Sequence, residues 1–189
     1  MNVVDMSLFA LMNAGASTPM WLIRLAALVS NVLPAIMVLV MASLALMRPE
    51  RRRTLWVALA SLLITWIAIN LFRTWLPMPR PASLDVGIQW LSHGDRGSFP
   101  SLHASGAFAV AMALLFERRD RYAFLFVLAA TAIAWSRVFL GLHFPTDVAA
   151  GAVFGSLAAL GVHRLATYSR RSTPVKRTVG RPAPKRLAP

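Results

Sequence analysis

Cysteine is absent from the 189 residues, which excludes disulfide bonds, thiolate nucleophiles and thiolate-bound metals. Charged residues are also scarce. They make up 14% of the chain, against roughly 25% in an average soluble domain. Acidic residues number seven, against 20 Lys and Arg. A zinc site would therefore have to use His and the few carboxylates alone.

Apolar residues dominate instead, at 57% of the chain, with a mean hydropathy of +0.59. We predict five membrane spans, over residues 20–47, 54–76, 103–116, 122–140 and 147–165. A span needs about 20 residues, so the shorter third span should begin inside a protein cavity rather than in lipid. The first 18 residues predict a short interfacial helix, with a half-inserted segment as the alternative. Residues 1–168 are thus expected to form one all-α membrane domain.

The net charge of +13 is concentrated in three basic segments, 48–53, 117–121 and 164–189. Two predicted spans separate each segment from the next, so all three lie on one side of the membrane, which the positive-inside rule makes cytoplasmic. Residues 169–189 are basic and proline-rich and predict a disordered cytoplasmic tail. This distribution indicates attraction to anionic lipid heads and no nucleic-acid partner.

Three polar clusters fall on the opposite side of the membrane. They contain Arg73 and Arg80; Ser101 and His103; and Arg137, His143 and Asp147. This is a sufficient set for phosphoryl transfer without metal: guanidiniums neutralise phosphate oxygens, one His attacks and the other protonates the departing oxygen. Asp147 lies four residues after His143, a spacing that brings a carboxylate to the ring if the chain is helical there.

Each cluster also has a structural interpretation. Arg73 and Arg80 could anchor a helix at the interface, Arg137 could snorkel towards water, Ser101 could cap a helix, and the His–Asp pair could be a structural cap. The catalytic interpretation is favoured because dense polar groups between apolar spans are costly, and because all three clusters share one side.

The spacing of the clusters resembles the signature of the type 2 phosphatidic acid phosphatase superfamily, which also includes vanadate-dependent haloperoxidases. Its pattern is Lys-x6-Arg-Pro, Pro-Ser-Gly-His and Ser-Arg-x5-His-x3-Asp. The third motif is complete here, from Ser136 to Asp147. Two positions depart: Arg73 replaces Lys and keeps the cation, and Leu102 replaces Gly, which keeps the backbone N–H but adds a side chain at the pocket wall.

The resemblance implies a role for each residue. His143 would attack phosphorus to form a phosphohistidine, Asp147 would orient His143, and His103 would protonate the leaving group and then activate water. The phosphate would be held by Arg73, Arg80, Ser101 and Arg137, assisted by the Leu102 amide. Neither a metal nor another cofactor is implied.

Among members of the superfamily, the small size and the F-P-S-x-H-x-x-G-A run are most similar to bacterial undecaprenyl-diphosphate phosphatases. The resemblance then implies hydrolysis of a carrier lipid for cell-wall synthesis at the periplasmic face of the inner membrane. The alternatives are a phosphatidic acid or phosphatidylglycerophosphate phosphatase, and a lipid A phosphatase or phosphotransferase. A non-catalytic lipid-binding or lipid-transporting protein is the alternative of another class. The motifs specify the chemistry, not the lipid tail or the oligomeric state.

Overall fold

The computed structural model describes residues 3–92 and 97–171, and within those ranges its regular secondary structure is entirely helical. The α-helices are α1 (Val3–Met12), α2 (Met20–Asn31), α3 (Leu33–Met47), α4 (Arg52–Trp75), α5 (Leu102–Glu117), α6 (Arg121–Phe139) and α7 (Pro145–Arg171), and short 3-10 helices cover Pro49–Arg51 and Pro81–Leu84. The predicted all-α bundle and the short N-terminal helix are confirmed. Of the predicted tail, residues 169–171 continue α7, and the rest lies outside the described residues.

Three described helices are long and apolar enough to cross a membrane, at 49–75, 121–139 and 145–170. The predicted span 20–47 is two helices, α2 and α3, bent by 45°. The break lies just before Pro34, which occupies the first turn of α3, where its missing N–H removes no helical hydrogen bond. Counted as one, the bent pair makes four spans, whereas α5 has only 16 residues. The count of five spans stays a prediction.

Helix α5 lies at the centre of the bundle, against α4, α6 and α7. Its buried face is built mainly of alanine, and two glycines of α7 meet it. A Cβ atom at Gly151 would stand 2.7 Å from the Ser101 carbonyl oxygen, and one at Gly155 would stand well under 3.0 Å from the Ser105 carbonyl oxygen. The Gly151–Gly155 pair therefore permits close packing within the bundle, and this contact holds the start of α5 against the start of α7.

The basic segments meet at one end of the bundle. Arg51 pairs with Asp120, and Arg53 Nη2 lies 3.2 Å from the Glu117 carboxylate. Asp120 also caps α6 by accepting from the backbone N–H groups of residues 122 and 123. Burial favours the neutral form of Asp120, but the hydrogen bonds from Arg51 and these amides outweigh it and lower its pKa. Since α5 and α7 both run towards this end, their polar starts lie at the other end.

At that other end, α1 and the loop after α4 pack on the turn between α6 and α7. The Phe9 ring is fully buried, with its centroid 5.3 Å from that of Phe144. In the loop after α4, the chain beyond Leu84 is not helical. Trp90 in this loop donates its backbone N–H to the Leu140 carbonyl and its indole N–H to the Ala14 carbonyl. These segments form the wall around the polar clusters.

Candidate active site

A tight turn between α6 and α7 presents His143. Gly141 has φ +73°, a left-handed conformation that glycine adopts at low cost, and the Ile88 carbonyl fills the space that a side chain would need. The N–H groups of Gly141 and Leu142 donate back to the last turn of α6, at 2.9 and 3.0 Å. His143 is thereby held just before α7, one helical turn ahead of Asp147.

The Asp147 carboxylate is the centre of a buried hydrogen-bond cluster. Its Oδ2 lies 3.3 Å from His143 Nδ1 and accepts from the Phe144 N–H at 2.9 Å. It also accepts from the Ser98 hydroxyl, whose oxygen lies 3.2 Å from the same His143 nitrogen. His143 and Asp147 are only 1% and 4% exposed. A ring whose Nδ1 side is occupied in this way presents Nε2 for chemistry.

Hydrogen bonds to main-chain carbonyls tie the three clusters together. The Ser101 N–H donates to the Asp147 carbonyl at 2.9 Å, which joins the second cluster to the third. Arg80 Nη1 donates to the Leu142 carbonyl at 2.9 Å, next to His143. Arg73 Nη2 donates to the Pro100 carbonyl at 2.6 Å, which joins the first cluster to the second. The structure therefore brings together the clusters that the sequence separates by up to 74 positions, from Arg73 to Asp147.

The guanidiniums lie at different depths around this cluster. Arg137 is 1% exposed and donates to the Ser30 hydroxyl at 2.6 Å, Arg80 is 8% exposed, and Arg73 is half-buried. Burial lowers the pKa of Arg80, and the Asp147 carboxylate opposes that shift. Arginine nevertheless keeps its proton in proteins. Arg73 and Arg80 interact electrostatically with the Asp147 carboxylate and also with Arg137. Three cations near one carboxylate leave a positive site that suits a phosphate anion.

Ser101 precedes the first residue of α5, yet its hydroxyl makes no cap bond to the helix. The side chain is fully buried, and its Oγ has no hydrogen-bond partner among the described residues. A buried polar atom without a partner is costly and calls for an explanation. A ligand oxygen at the amino end of α5, where the Leu102 amide also points along the helix, would supply that partner.

Two apolar cavities flank the start of α5. The first, of about 320 Å³, lies between α3, α4 and α5 and has His103 and Leu102 in its wall. The second, of about 350 Å³, lies between α4 and α5. Leu62, Leu102 and Gly106 line both, so these residues separate one cavity from the other. Ala35 of the first cavity is exposed at the bundle surface, so this cavity opens laterally between helices.

Three polar residues beside the site belong to none of the three sequence clusters. Ser98 touches both members of the His–Asp pair, Ser30 binds Arg137, and Asp5 accepts two hydrogen bonds from Thr146. Ser98 is five positions before His103 and could have been suspected from that proximity. Ser30 and Asp5 lie in other helices, where only the folded packing reveals their partners.

The polar groups of the site are arginine, histidine, serine and one carboxylate. Over residues 3–92 and 97–171, no three His or acidic side chains lie close enough together to hold a metal ion. The donor set around His143 therefore fits an anion better than a cation.

Comparisons with known proteins find phosphatases among the relatives of this chain. The chain is 33% identical over 162 residues to YbjG of Escherichia coli K12, a protein provisionally named an undecaprenyl-diphosphatase. The alignment covers 83% of this chain and 80% of YbjG. It is 33% identical over 103 residues to the lipid A 4'-phosphatase of Bacteroides thetaiotaomicron, covering 50% of this chain and 46% of the relative. The crystal structure of Aquifex aeolicus LpxE is similar in fold, with a TM-score of 0.73 and 23% identity over 86% of this chain and 96% of that one.

The family model described as the PAP2 superfamily matches residues 54–171, well over half of the chain. The chain therefore belongs to the PAP2 superfamily, and the predicted family is confirmed. At that level of description it is a PAP2-type lipid phosphatase.

Proposed function

We propose that this PAP2 protein hydrolyses the phosphate end of a membrane lipid through a phosphohistidine on His143, and that its substrate is undecaprenyl diphosphate. The observation that carries the proposal is the buried Asp147–His143 pair. The Asp147 carbonyl accepts from the Ser101 N–H, and the carbonyl of Leu142, next to His143, accepts from Arg80. A nucleophile, its orienting carboxylate and the phosphate-binding groups of two other clusters thus share one site.

The reaction proceeds in two displacements. The lone pair of His143 Nε2 attacks phosphorus, the bond from phosphorus to the leaving oxygen breaks, and His103 gives that oxygen a proton. Water then attacks the phosphohistidine, His103 takes a proton from it, and inorganic phosphate leaves with His143 restored. Asp147 holds the ring and stabilises its positive charge while phosphorus is attached.

Positive charge and amide dipoles replace a metal in this scheme. Arg73, Arg80 and Arg137 surround the phosphate oxygens, and the Ser101 hydroxyl and the Leu102 amide donate to them. These groups are fixed before substrate arrives, because Arg80 and Arg73 are already bonded to carbonyls of the other clusters. Preorganised donors of this kind stabilise the transition state without reorganisation at the moment of reaction.

The cavity beside His103 supports a lipid as the leaving group. The acid that protonates the leaving oxygen must lie on the leaving group's side, and the wall that contains His103 encloses apolar space of about 320 Å³. That space opens towards the membrane at Ala35, so a lipid can keep its head at the polar cluster and its tail among α3, α4 and α5. The bacterial relatives support the inner membrane as the location, with the site facing the periplasm because the basic ends are cytoplasmic.

The test is phosphate release by the purified protein in detergent with EDTA present. Undecaprenyl diphosphate is compared with phosphatidic acid, phosphatidylglycerophosphate and lipid A, with His143→Ala as the blank. Fast release from undecaprenyl diphosphate is expected. Preference for lipid A, which the Bacteroides relative makes the second candidate, would replace the substrate and keep the chemistry. Release that requires added metal would contradict the arginine-based mechanism. No release at all would favour phosphotransfer between lipids or a non-catalytic lipid-binding role.

A further inference from the structure

Helix α1 lies outside the residues that the family model matches, yet it packs directly behind the site. Phe9 is fully buried against Phe144, the residue that follows His143. Helix α1 contacts α6 and α7, the two helices that the catalytic turn joins. Helix α1 is therefore placed to affect the position of His143, which lies in the short turn between α6 and α7.

Asp5 is the polar link between α1 and α7. Its carboxylate is 5% exposed and accepts two hydrogen bonds from Thr146, one from the backbone N–H at 3.0 Å and one from the hydroxyl at 2.6 Å. Thr146 lies in the first turn of α7, where N–H groups lack partners inside the helix and negative charge is favoured by the helix dipole. Asp5, 141 positions away in sequence, therefore acts as a capping acceptor for the first turn of α7.

The same first turn carries Asp147. The position of its carboxylate against His143 Nδ1 depends on the backbone from Phe144 into the first turn of α7, because the Phe144 N–H is bonded to that carboxylate. We infer that Asp5 is a positioning residue for the reaction: its two bonds to Thr146 hold Asp147 on His143. This inference rests on the proposed function, because it concerns how the proposed nucleophile is oriented.

Asn13 supplies a matched control at the other end of α1. Its side chain donates to the carbonyls of Ile88 and Phe139, at 3.0 and 3.1 Å, and accepts from the Ile88 N–H at 2.8 Å. These bonds hold α1 to the loop after α4 and to the end of α6, and they do not involve α7. Asn13→Ala therefore loosens α1 while the contact between Asp5 and Thr146 remains.

The experiment compares Asp5→Ala, Asp5→Asn, Thr146→Val and Asn13→Ala, together with the Asp5→Ala/Thr146→Val double variant. Two properties are measured in detergent, the kcat and KM of phosphate release and the titration of the His143 ring by NMR. Asp5→Ala is expected to lower kcat roughly tenfold or more, with KM nearly unchanged and the His143 titration shifted, because misplacement on the order of 1 Å is costly for catalysis. Asp5→Asn keeps one acceptor and should recover part of kcat. The double variant should be no worse than Asp5→Ala alone, because both changes remove the same contact.

Asn13→Ala should lower thermal stability and change kcat and the His143 titration far less than Asp5→Ala does, because its bonds reach the end of α6 and Ile88 but leave the contact with Thr146 in place. The inference is overturned if Asp5→Ala retains wild-type kcat and titration, or if Asn13→Ala reproduces its effects. Should Asp5→Ala fail to fold, Thr146→Val decides, because it removes one hydrogen bond and no charge. Absence of phosphate release by the wild type would overturn the proposed function, whereas the His143 titration in Asp5→Ala and Asn13→Ala would still decide the positioning role.

Discussion

Replacing Gly155 with alanine tests whether the close packing of α7 on α5 holds the site together. A new Cβ atom at Gly155 would lie well under 3.0 Å from the Ser105 carbonyl and 2.9 Å from the Ala109 nitrogen, both backbone atoms of α5. Backbone cannot turn aside as a flexible side chain can, so the two helices must separate. Overpacking of this kind costs about 1–3 kcal/mol, and the neighbour's being backbone places the cost at the upper end.

Gly161 is the matched control on the same helix, because a Cβ atom there would meet nothing within 4 Å. Alanine in a helix is favoured over glycine by about 1 kcal/mol, so Gly161→Ala should be slightly stabilising. At roughly 2–4 °C per kcal/mol for a chain of this size, Gly155→Ala should lower Tm by several degrees and Gly161→Ala should raise it by a few. Thermal unfolding in detergent, followed by tryptophan fluorescence, measures both. Equal Tm values for Gly155→Ala and the wild type, or an equal loss in Gly161→Ala, would refute the packing argument.

Ser98→Ala removes a hydrogen bond to the Asp147 carboxylate, a bond type that contributes about 1.5–3 kcal/mol. The kcat for phosphate release should therefore fall roughly ten- to a hundredfold, and Ser98→Thr should keep more of the wild-type kcat. An unchanged kcat in Ser98→Ala would contradict a role for Ser98 in holding Asp147. Val38→Trp fills the cavity beside His103 and should lower kcat/KM about tenfold for undecaprenyl diphosphate but not for a short, soluble diphosphate. Leu39→Trp, on the exposed side of α3, should leave kcat/KM unchanged for both substrates. Equal losses on the two substrates would contradict the proposal that the cavity binds the lipid tail. Asp120 has a lowered pKa, so its contribution to stability is present above the ordinary carboxyl pKa of about 4 and is lost as pH falls through its pKa in the folded protein. Asp120→Asn should therefore lower Tm at neutral pH, and the difference in Tm from the wild type should become smaller in acid. A difference in Tm that does not change with pH would contradict the pairing.

The sequence predicts the elements and motifs of this protein better than the contacts between them. Residue spacing is a local property, so the helical pairing of His143 with Asp147 and the polar starts of α5 and α7 could be read directly. Alternating spans and basic segments likewise predict which ends of the helices meet, as the Arg51–Asp120 pair confirms.

Contacts between distant segments could not be predicted in this way. Ser98 reaches Asp147 because a loop folds over the start of α7, and Asp5 reaches Thr146 across almost the whole chain. Neither contact leaves a periodic signal, since each depends on tertiary packing. The bend between α2 and α3 did have a signal in Pro34, but an apolar run of that length is equally consistent with one tilted helix.

In the proposed mechanism His143 carries the phosphoryl group, and trapping the phosphoryl group on this residue tests the mechanism directly. Protein mixed with a lipid substrate labelled with ³²P at its terminal phosphate, in EDTA, would be denatured in alkali within one turnover, digested, and mapped by peptide. Label is expected on the peptide containing His143, where it should be stable to base and labile to acid. It should be absent from His143→Ala, which should also lose turnover while remaining folded. Label on another residue, or near-normal turnover by His143→Ala, would contradict this mechanism.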